Sequence, residues 1–115
     1  MTKVISFHKY TLKPDIKEDQ FKDAIQAAQD RNLFQLPGLM EVHFLHGIKG
    51  QRRGQFAALW IYESRETWER LWGSPDQPHS KEEYPETWKI WEDELLTPLL
   101  DRDPDQIEYT TYERI

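Results

Sequence analysis

Strand-like and helix-like periodicities alternate along the chain. Residues 3–12, KVISFHKYTL, are rich in β-branched and aromatic side chains, contain no Gly or Pro, and stop short of Pro14, which predicts a first strand. Phe21, Ala24, Ile25 and Ala28 then recur at i, i+3, i+4 and i+7 in an otherwise charged segment, the stripe of an amphipathic helix. Asp15 is its expected N-cap, with Glu18 in capping-box position. LPG at 36–38 ends the connection, because Pro37 cannot donate a backbone bond and Gly38 tolerates a tight turn. LMEVHFLHGI at 39–48 returns to strand composition, with Met40, Val42 and Phe44 alternating with Glu41 and His43. A polar loop, KGQRRG, leads to the apolar run QFAALWIYE at 55–63, so the two segments form a predicted hairpin. SRETWERLW, opening at Ser64, is expected to be helical until Gly73 and Pro75 stop it, and GSPDQPHS to be a loop. A longer helix starts near Pro85, with Trp88, Trp91 and Leu95 as its apolar stripe. QIEYTTYERI at 106–115 supplies the last strand.

The order β-α-β-β-α-β over residues 1–115 predicts one ferredoxin-like α+β domain, a four-stranded antiparallel sheet with its helices on one face. Alternation then meets a conflict. The first strand places Val4, Tyr10 and Leu12 on one side and Ile5 and Phe7 on the other; the third places Phe56, Ala58, Trp60 and Tyr62 against Ala57, Leu59 and Ile61. Both faces are apolar, and helices cover only one. Leaving about 400 Å² of apolar surface bare forgoes about 10 kcal/mol, comparable to the whole stability of a small domain. The expected remedy is a homodimer that presses sheet on sheet into a barrel-like sandwich.

The 115 residues carry a formal charge of -6 and no cysteine. The acidic balance argues against nucleic acid as a partner. Lys49, Arg52 and Arg53, the densest basic group, read as a solvated hairpin tip. Without cysteine, disulfides, zinc–thiolate sites and thiol catalysis are excluded. No segment reads as a secretory signal or membrane span, so a cytoplasmic protein is expected. Trp60, Trp68, Trp72, Trp88 and Trp91 fall close together in sequence, which calls for a large core, an interface or an aromatic-lined pocket. There is no HExxH, Walker A loop, dinucleotide fingerprint, GxSxG elbow or EF-hand loop.

The segments LPGLMEV, LWIYESRETWERL and LWGSPDQPHS resemble those of the dimeric α/β barrel superfamily, in particular the antibiotic biosynthesis monooxygenase-like domains, and the resemblance runs over nearly the whole chain. It implies a cavity between helices and sheet that binds a flat aromatic substrate and oxidises it with no metal or organic cofactor. In heme-degrading relatives the same cavity holds heme through an Asn, a Trp and a His. Here those positions fall near His8, at Leu71 beside Trp72, and near Lys81 with His79 two residues away.

On a strand, His43 and His46 point to opposite faces and do not form a ligand pair. His8, on the side of Val4, Ser6 and Tyr10, is the expected proton acceptor, and His79, in a loop, the second catalytic candidate. Tyr10, His46, Tyr62 and Trp72 are the expected substrate contacts. Each has a plainer alternative: a core histidine held by a backbone carbonyl, a solvated loop or hairpin histidine, a core aromatic. Two functions therefore stand beside the oxygenase: a non-catalytic ligand-binding or interaction homodimer, and heme binding or degradation.

Overall fold

The computed structural model describes residues 2–115. Strands β1 (Val4–Tyr10), β2 (Leu39–His46) and β3 (Phe56–Tyr62) are followed by two short ones, β4 (Gly73–Ser74) and β5 (Gln77–Pro78), and by β6 (Tyr109–Glu113). Helices α1 (Glu18–Asp30), α2 (Arg65–Trp72) and α3 (Glu86–Ile90) lie between them. The main sheet is antiparallel in the order β2-β3-β1-β6. This is the predicted ferredoxin-like α+β architecture.

Register fixes the two faces. Val4, Ser6, His8 and Tyr10 lie opposite Tyr62, Trp60, Ala58 and Phe56, all on the helix side. There Phe21, Ala24 and Ala28 of α1 close the core, and Phe21 stacks on Phe56 at 4.6 Å. The other face carries Ile5, Phe7, Ala57, Leu59 and Ile61 at its centre, with Lys9, Glu41 and His43 at its edges. Among the described residues no element covers it, and its middle is apolar, as the alternation requires.

Several boundaries move. Helix α1 starts three residues after the expected cap: the Lys13–Ile16 turn takes up Asp15, Lys17 is the N-cap, and its N–H donates to the Gln20 side chain at 2.9 Å. Gln20 thus plays the part assigned to Glu18. The first strand ends at Tyr10, and Leu12 makes only a lone bridge to Leu100. A bulge between Leu39 and Glu41 turns Met40 outward, 52% exposed, instead of in phase with Val42 and Phe44.

Helix α2 is capped by the Ser64 hydroxyl, which accepts from the Thr67 N–H at 3.2 Å. The loop expected after it folds back as the β4–β5 hairpin. Gly73 opens that hairpin at φ +84°, where an added Cβ would lie 2.6 Å from both the Gln77 carbonyl oxygen and the His79 nitrogen. Gly73→Ala therefore meets backbone as well as a left-handed conformation, and is expected to cost about 1–3 kcal/mol in thermal or denaturant unfolding. An unchanged midpoint would contradict this geometry.

Helix α3 continues into a π-helical turn, Trp91–Leu96, in which the Thr97 N–H donates to the Glu92 carbonyl at 2.9 Å. The extra residue in this turn shifts the apolar stripe. Leu96 is fully buried, whereas Leu95, the expected stripe residue, is half-buried. Among the described residues no helix is long and apolar enough to cross a membrane.

Candidate functional site

Between the β1–β6 side of the sheet and the segment running from α2 to the π-helical turn lies a cavity of about 510 Å³. That size suits a small organic molecule. The strands put their helix-side residues into it, since only every second residue points there: Ser6 and His8 from β1, Tyr109 and Thr111 from β6. Helices supply Trp68, Trp72, Trp88 and Glu92.

One wall is a continuous run of aromatic rings. Trp72 meets Tyr84 and Trp88 edge-on, each at 5.2 Å, and Trp88 in turn lies 4.9 Å from Trp60 and 6.0 Å from His8. Tyr109 approaches the other side of the imidazole at 5.8 Å. The Trp72 indole N–H donates to the Tyr62 hydroxyl at 3.3 Å, which fixes both rings. A flat, largely apolar molecule matches such a wall by stacking and edge contacts.

The polar groups are few. His8 Nε2 lies 3.1 Å from Ser6 Oγ, which lies 2.9 Å from Thr111 Oγ1, a chain of hydroxyls joining β1 to β6. His8 Nδ1 is buried with no hydrogen-bond partner. Burial pulls the imidazole down to about 4, so it is uncharged at neutral pH. Glu92 is 5% exposed and its Oε1 has no partner either. Its carboxyl is pushed up to about 8, by burial first and then by Asp105, with Lys81 opposing. Charge sits at the rim, where Arg65 Nη1 lies 3.5 Å from Glu113 Oε1.

Of the residues expected at the site, His8, Tyr62 and Trp72 line this cavity together. Tyr10, His46 and His79 do not. Tyr10 is fully buried behind the wall, its ring 5.5 Å from Phe21 and its hydroxyl beside the indoles of Trp60 and Trp91. His46 stacks on Phe56 at 4.9 Å and bonds Glu18 Oε1 at 3.1 Å, at the far end of the sheet. His79 Nδ1 lies 3.1 Å from the Leu71 carbonyl oxygen, outside the cavity lining. His43 lies 3.6 Å from Glu41 on the open face, apart from His46. Glu92 went unnoticed in the sequence because its neighbours Asp93 and Glu94 make the stretch read as a solvated acidic face. Its one signal is its place four residues after Trp88, on the same side of a helix.

No known protein family and no curated protein matches the chain by sequence. Solved structures match over its length. A dimeric ferredoxin-like protein of unknown function from Jannaschia superposes with a TM-score of 0.66 at 14% identity, covering 97% of this chain and 99% of that one. A candidate antibiotic biosynthesis monooxygenase from Bordetella bronchiseptica gives 0.64 at 10% identity, covering 100% and 99%. SnoaB, a cofactor-independent oxygenase from Streptomyces nogalater, gives 0.61 at 10% identity, covering 100% and 95%. The chain has the fold that these monooxygenase-like and dimeric ferredoxin-like proteins share.

Proposed function

We propose that the chain pairs with a second copy through the open faces of its sheets, binds a flat aromatic molecule in the cavity, and oxidises it with dioxygen without a metal or organic cofactor. The observation that carries this reading is the cavity wall, Tyr84, Trp72 and Trp88 leading to the half-buried imidazole of His8. The oxygenase similar in fold to this chain adds support for the chemistry, and the neighbour described as dimeric adds support for the pairing.

The reaction needs no outside reductant when the substrate is itself electron-rich. His8 takes a proton from an activated methylene flanked by aromatic rings. The resulting carbanion gives an electron to dioxygen, a C–O bond forms, and the peroxide anion takes a proton back. Loss of water from the hydroperoxide then leaves a carbonyl. One CH₂ and one O₂ become one C=O and one H₂O, with all four electrons drawn from the substrate.

Oxygen uptake with a panel of flat hydroxyarenes bearing such a methylene, in the presence of a chelator, tests the reading. His8→Ala is expected to lower kcat by about a hundredfold or more, with the melting temperature of the variant checked in parallel. Turnover that survives the substitution removes the role from His8. One observation favours a second reading, non-catalytic binding: burial makes His8 a weak base. In that case tryptophan fluorescence reports binding of the same panel while oxygen is not consumed.

A further inference from the structure

Glu92 has no part in that reaction, and its surroundings are unusual. A buried carboxylate is stable only with donors or a cation of its own. The nearby cation, Lys81, is committed to other acids, with its Nζ 2.7 Å from Asp93 and 3.5 Å from Asp105. Asp103 adds to the negative surroundings from the Pro104–Gln106 turn. On the inner side is the hydroxyl of Tyr10, itself beside the indole nitrogens of Trp60 and Trp91. Tyr84, on the segment that leads into α3, is a phenol held un-ionised by burial. The carboxyl is thus ringed by neutral groups and by acids that outnumber the one ammonium, and it borders the cavity. The backbone holds it there: the π-helical turn begins at Trp91, a position often found at functional sites.

We propose that Glu92 is the hydrogen-bond donor of the cavity: its protonated carboxyl binds a carbonyl oxygen of the ligand, while His8, in the same lining, accepts from a hydroxyl or N–H of the same molecule. The cavity then selects uncharged aromatic ketones over plain arenes and over arene carboxylates. This rests on the reading of the cavity as a small-molecule site and adds the ligand's polar pattern to it. A carboxyl that ionises only near pH 8 supplies the donor through the neutral range and withdraws it in alkali.

Tryptophan quenching with 1-acetonaphthone, naphthalene and 1-naphthoate at pH 6.5 and 9.5 tests the assignment. The ketone is expected to bind about tenfold more weakly at the higher pH, naphthalene equally at both, and naphthoate more weakly than the ketone at pH 6.5. Glu92→Gln keeps a neutral donor of the same shape, so it retains ketone binding and loses the pH dependence. Glu92→Leu loses the ketone's advantage over naphthalene. Ketone affinity that is flat with pH in the wild type, or a Glu92→Gln variant with the wild-type pH profile, overturns the proposal while naphthalene binding leaves the small-molecule reading standing. If none of the three probes binds, both fall.

Discussion

Leu59→Glu is expected to turn the proposed homodimer into a monomer, with the dissociation constant raised by about a thousandfold or more, equivalent to about 4 kcal/mol. Leu59 lies opposite Phe7 at the centre of the open face, with Ile61 and Ile5 next to it along the two strands. In a two-fold pairing each change is made twice, and both carboxylates meet an apolar surface. An unpaired buried charge costs several kcal/mol, so the interface loses more than a standard contact can replace. The chain itself is expected to fold, because the helix-side core built on Trp60, Trp91 and Phe21 is untouched. Sedimentation velocity at micromolar concentration reads the result, with Lys9→Glu at the edge of the same face as the comparison. Lys9 already lies 3.2 Å from Glu108 in a half-exposed pair, so its replacement is expected to weaken association only slightly. A wild-type monomer, or a Leu59→Glu dimer, would remove the pairing from the proposal.

The architecture was legible because strand alternation and helical spacing are local properties of this chain. The stripe Phe21, Ala24, Ala28 sufficed to place α1, and Ile5, Phe7, Leu59 and Ile61 sufficed to announce a second apolar face. What escaped depends on a single inserted residue or on a contact between distant segments. The bulge at Met40 adds one residue to β2 and reverses its facing there. The π-helical turn adds one residue to α3, which moves the buried leucine from 95 to 96. The cap of α1 moved to Lys17 because a turn through Asp15 intervenes. Part of the candidate site was readable for the same reason: His8 and Tyr62 follow from strand phase. Tyr10 shares that phase, but whether a helix-side residue meets the cavity or the core depends on what packs over it, and Phe21 lies on Tyr10. No pattern along the chain reports that Glu92 ends up beside Tyr10, more than eighty positions away in sequence, nor that Lys81 is occupied by Asp93 and Asp105.

Glu92→Gln is expected to flatten the alkaline side of the stability profile, with its largest effect near pH 9. The folded protein keeps a proton on Glu92 up to about pH 8, whereas the unfolded chain releases it near the ordinary 4.5. Between those values the folded state binds more protons, so wild-type stability falls as pH rises from about 4.5 to about 8 and is level beyond. The whole fall is at most about 5 kcal/mol, and residual solvent access makes about 3 kcal/mol a fair expectation. His8 works in the opposite direction. Its folded value of about 4 lies below the ordinary 6.5, so the unfolded chain binds the proton first as the solution is acidified. Stability from this group is complete above about pH 6.5 and is lost as pH falls toward 4, by at most about 3 kcal/mol. The two together place the optimum between about pH 5 and 6.5, with the alkaline flank owed to Glu92 and part of the acid flank to His8. Urea denaturation across pH 4–9 at fixed protein concentration separates them, since Glu92→Gln acts on one flank and His8→Gln on the other. Near pH 5 Glu92→Gln exchanges one neutral hydrogen-bonding group for another and is expected to change stability by no more than about 1 kcal/mol. At pH 9 the same change relieves a buried negative charge and is expected to stabilise the protein. A Glu92→Gln effect equal at the two pH values would mean that the wild-type carboxyl ionises as an ordinary surface acid, and the donor role assigned to it in the cavity would fail with it.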